Sequence, residues 1–294
     1  MFAFDTRFWK SLLNLIIRPG YLTKEFFAGR RVRYSPPIRF YLFASFILFL
    51  LLQIYTTQGL NEVLNHSLKE GEIILGGDSA LVTAKDSISA NLKENFNAEL
   101  IGEFSDADSS SLILTSIDFK SVKNEPNLRA SLNNLAFQLE ALLENETDPE
   151  KRTKLINYIR LCRSPEQALI RGLKYMSWAF FLLLPVFASI LWLFYNRRNQ
   201  YYIRHLIFSI HFHSYVFIVF IFLTFLNMIF SNVNGWFILV LLTTIPFYLI
   251  ISLKKFYGQG VLKVILKFTG ISFIYNFIFW VVILIVFFNA FNIV

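Results

Sequence analysis

From His205 to Leu253 the chain carries no Asp, Glu, Lys or Arg, and from Tyr175 to Asn196 it carries none either. Runs of this length constrain the fold more than any other feature. A helix of roughly 20 apolar residues crosses the hydrocarbon core of a bilayer. A soluble domain of 294 residues would also need many more charges than the 16% present to cover its surface. The fold expected is an all-α integral membrane protein with about five transmembrane helices.

The first span is set by what precedes it. A basic segment containing Gly29, Arg30, Arg31, Arg33, Tyr34, Pro36, Pro37 and Arg39 leads into an uncharged run from Phe40 to Asn61. The two prolines stop a helix from entering from the N-terminal side. The span is therefore expected at 38–55, with Gln53, Thr56, Thr57 and Gln58 marking its exit. Residues 173–294 form a four-span membrane domain, with spans at about 173–195, 213–230, 236–253 and 268–288. Arg197 and Arg198 end the first of these, and Asn196 to His213 reads as a short basic-aromatic connection. The polar and turn residues from Ser231 to Gly235 suit a tight hairpin. Pro185 and Pro246 fall inside spans, where neighbouring helices tolerate a kink.

Outside the spans, residues 1–37 read as a cytoplasmic, interfacial, amphipathic and basic segment. In 4–17, Phe8, Trp9, Leu12, Leu13, Ile16 and Ile17 share a helical face, and Asp5 or Thr6 can cap the start. Pro19 and Gly20 end this helix, and a second runs from Tyr21 to Ala28. Apolar faces with Trp and Phe flanked by cations suit the membrane interface, and they equally suit packing against the ends of the spans. Residues 56–172 are polar and net acidic, and read as a helical extracytoplasmic insertion. Leu128, Leu132, Leu135, Leu139 and Leu142 recur at steps of four and three, the stripe of a packed helix. Asp148 with Pro149, and Ser164 with Pro165, read as helix starts; Gly76 to Asp78 and Ser105 to Ser111 read as loops.

Charge fixes the orientation. Eighteen of the twenty acids lie between Glu62 and Glu166, whereas segments 1–39, 196–212 and 254–267 hold fifteen Lys or Arg against two acids. The positive-inside rule puts those segments and the N-terminus in the cytoplasm, and residues 56–172 and the C-terminus outside. The first residues carry Asp5, Arg7 and Lys10 where a signal peptide needs an apolar core, so the first span is expected to act as an uncleaved anchor. The net charge of +8 arises beside the spans, which points to anionic lipid headgroups and away from nucleic acid. Cys162 is the one cysteine, so neither an internal disulfide nor a cysteine-rich zinc site can form. Its thiol is expected to react with a membrane-impermeant maleimide from the outer face.

Several phrases resemble a known family. Arg18-Pro19-Gly20, the run from Gly29 to Pro37 and Phe40-Tyr41-Leu42-Phe43 are similar to the opening motif of the bacterial domain-of-unknown-function 3667 family. The likeness continues at Leu183 to Ala188, is most specific at His205 to Ser214, and returns at Tyr257-Gly258-Gln259-Gly260. It implies a multispan protein of the bacterial inner membrane and brings no biochemical activity with it. Two departures stand out. Relatives often begin with a zinc ribbon of paired cysteines, absent here, and often carry Glu before the first histidine of the phrase, where this chain has Arg204.

Two groups of residues are candidates for function. Arg30, Arg31, Arg33, Arg39, Arg197, Arg198 and Arg204 are expected to contact lipid headgroups, either in a defined phosphate pocket or by diffuse attraction that also holds the topology. His205, His211 and His213 are three of only four histidines. Imidazoles can ligate a metal, sense pH or touch headgroups, or serve as structural groups bonded to backbone or lipid. At about 100° per residue, His205 and His213 lie on neighbouring faces of a straight helix and His211 on the far side, so a shared metal requires a bend. No Asp or Glu follows Glu166 to orient such ligands, and the metal reading is the weak one. No cofactor and no catalysis are expected. The spans lack acids and cysteine, and their hydroxyls are not arranged as a base and nucleophile. The expected role is a scaffold or accessory factor with anionic-lipid contacts, residues 56–172 being the region open to a protein partner. The alternative is a carrier of a lipid or small hydrophobic solute.

Overall fold

The computed structural model describes residues 6–65, 126–195, 201–230 and 233–291. The loops expected near Gly76 and Ser105, together with Arg197 and Arg198, lie outside them, as does a cap at Asp5. Among the described residues the chain is all-α: α1 (Thr6–Ile17), α2 (Tyr21–Phe27), a 3₁₀ turn (Arg31–Arg33), α3 (Pro37–Asn65), α4 (Leu128–Asn145), α5 (Pro149–Arg163), α6 (Pro165–Tyr195), α7 (Tyr202–Ile229), α8 (Gly235–Tyr257) and α9 (Val261–Phe291). Five of these, α3, α6, α7, α8 and α9, are long and apolar enough to cross a membrane. The molecule is a multi-pass membrane protein.

Local chemistry starts the helices. α3 opens on Pro37, whose missing N–H is one that a first turn leaves unpaired anyway. The side-chain oxygens of Asn127, Asp148 and Asn234 accept from Ala130 N, Glu150 N and Trp236 N at 2.8, 2.9 and 2.9 Å, capping α4, α5 and α8. α6 runs unbroken through Pro185, and two side chains gather at that turn: Ser189 Oγ and Tyr202 OH both donate to Pro185 O, at 2.8 and 3.0 Å. One element departs from its expected extent. α7 begins at Tyr202, so the stretch taken as a connection up to His213 is helical over most of its length. Its three histidines each find a hydrogen-bond partner on another helix or on the helix itself.

The chain divides into two units, Met1–Tyr55 with Gly172–Phe288, and Thr56–Arg171 with the last residues. In the second unit α4 and α5 form a hairpin around Leu135, Ala136, Leu139, Leu155, Ile159 and Cys162, with Leu132 and Leu142 packed on it. The leucine stripe thus faces inward. Arg163 grips Glu140 through two hydrogen bonds of 2.8 and 2.7 Å, which hold the Glu140 carboxyl below its usual pKa. Arg152 donates to the carbonyls of Leu143 and Glu146 at 2.9 and 2.7 Å, closing the turn between the helices. Arg129 reaches three side chains at once: Asn61 and Asn65 at 3.0 Å each, and the carboxylate of Glu166. It ties α4 to the last turns of α3 and the first turn of α6.

Cys162 lies in the hairpin core, and burial pushes its thiol up to about 12. The expected labelling of this thiol from the outer face therefore needs correcting, because a buried neutral thiol is inert to maleimide. In the folded chain Cys162 reports opening of the hairpin and not the side of the membrane it occupies.

The first unit is built around α7. Of its most apolar 18-residue window 67% is buried, against 11–39% in the other four spans. Leu48, Ala44 and Tyr41 of α3 pack with Leu184, Ile210 and Phe217 on one side of α7. Phe208, Phe212, Tyr215, Val219 and Leu223 face a larger cluster drawn from α1, α2, α6, α8 and α9.

Candidate functional site

The buried polar groups of the first unit concentrate on the N-terminal half of α7: His205, Ser209, His211, His213 and Ser214 are all inaccessible to solvent or nearly so. Each histidine has a different partner. His205 Nδ1 lies 2.6 Å from Tyr257 OH of α8, and His211 Nδ1 lies 3.0 Å from Thr23 Oγ1 of α2. His213 Nδ1 lies 2.9 Å from Ser209 O and its Nε2 lies 2.7 Å from Tyr275 OH of α9. The carbonyl can only accept, so Nδ1 of His213 carries a proton, and in the neutral ring Nε2 accepts from Tyr275. Ser209 adds a bond to α6, donating to Leu184 O at 2.9 Å.

These contacts join the phrases that stood out in the sequence. Phe187 of the Leu183–Ala188 phrase stacks on Phe212, with centroids 5.4 Å apart, and meets His213 edge-on at 5.3 Å. Tyr257 bonds His205 and stacks on Tyr195 at 3.6 Å, while Lys267 sits 4.1 Å from the Tyr195 ring centre. Gly20 adopts φ +72, where a Cβ would come within 3.0 Å of Ser252 O, so α2 can enter against α8 only through a glycine. Beside it, Gly20, Thr23, His211 and Ser252 help to line a cavity of about 10 Å³, the size of a single water site.

The histidines do not converge on a common point. Among the described residues no group of three or more His, Cys, Asp or Glu side chains is placed to hold a metal ion. The three imidazoles act as separate fasteners between α7 and α2, α8 and α9.

The arginine candidates also separate. Arg30 pairs with the buried Glu25 at 2.7 Å. Arg204 lies over the rings of Phe27 and Phe256, at 5.0 and 5.5 Å. Arg39 is exposed on the first turn of α3. Arg33 joins two cations that the sequence reading had not singled out: with Arg7, Lys10 and Val32 it lines an open groove of about 600 Å³. Arg7 and Lys10 are three residues apart on α1, which puts both on one helix face. That spacing was the available signal for them.

The segment that carries this groove is fastened to itself at several points. Ser11 Oγ accepts from Ser35 N at 3.0 Å, and Phe8 stacks on Phe40 at 4.6 Å. Tyr21 and Tyr34 share a 3.2 Å hydrogen bond that, with burial, raises the Tyr34 phenol. It is also the part of the chain with a known counterpart. Residues 5–49 match the family model described as protein of unknown function (DUF3667). The DUF3667 match takes in Arg18-Pro19-Gly20 and the arginine phrase, and it ends before the phrases at Leu183, His205 and Tyr257. No curated protein and no solved structure matches the chain. Within the first unit, the DUF3667 segment rests on the histidine helix through Thr23 and His211, and on α8 through the 2.8 Å bond from Tyr248 OH to Leu15 O.

Proposed function

We propose that the protein is a non-catalytic scaffold or accessory factor of a bacterial inner membrane, which holds anionic lipid at its cation-rich end. The observation that carries this reading is the use made of the histidines. The three histidines of the first unit each join α7 to a different element, an arrangement suited to a stiff platform. The charge balance supports the lipid contact. In the first unit Glu25 is the sole carboxylate among the described residues, and it is already paired with Arg30. Lipid headgroups are anions that exposed cations such as Lys10, Arg33 and Arg39 would meet. By the positive-inside rule this end faces the cytoplasm, and residues 56–172 face outward as the region for a protein partner. The outward-pointing Phe137 of α4, 70% exposed, is the side chain we assign to that contact.

Native mass spectrometry with elemental analysis, on full-length protein extracted with its own lipids, tests the reading. The expected result is enrichment of anionic over zwitterionic lipid, with the same content in His213→Ala. A stoichiometric solute or metal that disappears in His213→Ala would replace the scaffold with a carrier or a metal site. A photo-crosslinking residue at position 137 should give one discrete adduct in membranes, and its absence would remove the partner from this face.

A further inference from the structure

We propose that the small cavity between α2, α7 and α8 is a binding site for one water molecule, which joins Ser252 to the Thr23–His211 pair. The cavity measures about 10 Å³, and its polar lining is three hydroxyls and one imidazole: Thr23, Tyr248, Ser252 and His211. A buried water needs about that much space and two to four polar partners, and nothing larger fits. No carboxylate lines the cavity, so a metal cation would lack its counter-charge. Ser252 supplies the independent observation. It is 1% exposed, and its Oγ has no protein partner within hydrogen-bond distance. Among the described residues the other buried serines and threonines of the spans, Ser209, Ser214 and Thr224, donate to backbone carbonyls at 2.9, 2.7 and 2.9 Å. Leaving a buried hydroxyl unpaired is costly, and the cavity is where Ser252 can find its partner.

The donors and acceptors around the cavity match one water. Leu15 O, near the end of α1, has no helical donor, because the residue four positions on is Pro19. Tyr248 OH takes that place, donating to Leu15 O at 2.8 Å, and its oxygen is left as an acceptor. Thr23 Oγ1, 3.0 Å from His211 Nδ1, can accept as well. Ser252 has a proton to give. A water that accepts from Ser252 and donates to Tyr248 and Thr23 uses both its protons and makes three bonds, the usual number for a buried one. It completes the joint between α2 and α8 at the place where Gly20 lets the two backbones approach.

The test joins a structure of the full-length protein in nanodiscs, at a resolution that shows ordered water, to the melting midpoint of Ser252→Ala. One water peak should lie within about 2.5–3.2 Å of Ser252 Oγ and of Thr23 Oγ1 or Tyr248 OH. Ser252→Ala should lower the midpoint by about 2–4 °C, the scale of one hydrogen bond in a chain of this size. Without the water the sign reverses. Alanine is the better helix former and removes an unpaired hydroxyl, so the midpoint would hold or rise. That result, or density that places Ser252 Oγ directly on Tyr248 with nothing in the cavity, would overturn the site. Thr23→Val gives a second reading. It breaks the bond to His211 in any case, but a shared water is lost only once, so its effect and that of Ser252→Ala should sum to more than the double variant loses. Strict additivity would overturn the bridge between α2 and α8.

Discussion

At the level of single residues, the pairs made by α7 have measurable worth. A hydrogen bond between transmembrane helices contributes about 0.6 kcal/mol on average and up to about 2 kcal/mol. Tyr275→Phe and His213→Phe should each lower thermal stability, and the double variant should lose less than the sum of the two, giving a coupling energy in that range. An additive result would mean that the 2.7 Å contact carries no energy. Gly20 offers a sharper comparison. Both Gly20 and Gly29 have positive φ, but a Cβ at Gly29 meets open space while one at Gly20 meets the backbone of Ser252. Gly29→Ala should cost about 1–2 kcal/mol for its conformation alone. Gly20→Ala should cost clearly more, and equal midpoints for the two would rule out close packing of α2 on α8. Arg30, Arg33 and Arg204 were visible in the sequence as a group of cations. Their separate fates were not, because each depends on a partner that charge counting cannot supply: Glu25 for the first, α1 for the second, two phenylalanine rings for the third.

At the level of elements, the α4–α5 hairpin is the most self-contained piece. Leu155 is fully buried, and Leu155→Ala should destabilise the hairpin by about 2–5 kcal/mol. Hydrogen exchange of amides in α4 and α5 would show it. Cys162 adds a pH dependence. Its folded pKa of about 12 lies above the unfolded value, so its contribution is fully present below pH 9 and is lost as the pH rises from there to 12. Maleimide should react with Cys162 faster as the pH climbs through that window, beyond the rise set by thiol ionisation in a denatured control. A ratio of folded to denatured rates that does not change with pH would contradict the burial. The spans and the hairpin were legible in the sequence because both signals are local, an uncharged run in one case and leucines at helical spacing in the other. The start of α7 was not. Arg204 and three histidines look like an interfacial loop until Thr23, Tyr257 and Tyr275, far away in the chain, are seen to receive them.

At the level of the whole molecule, orientation in the bilayer rests on the charge distribution, and it needs a reporter that is exposed. Glu150 on the first turn of α5 is such a place. In a Cys162→Ala background, Glu150→Cys should react with a membrane-impermeant maleimide added outside intact cells. Labelling only after the membrane is opened would invert the topology.

The fastening of α7 also bears on how the chain is made. A polypeptide enters the bilayer from its N-terminus, and α7 arrives before α8 and α9 have been synthesised. Thr23 is then already in place for His211, whereas Tyr257 and Tyr275 are still to come. Until they emerge, His205 and His213 must stay hydrated or be shielded by the insertion machinery, since unpaired polar groups are costly in hydrocarbon. α7 should therefore settle into the lipid only together with the last two spans. A nascent chain halted after Ile229 should remain extractable, with its histidine helix waiting for the tyrosines that complete it.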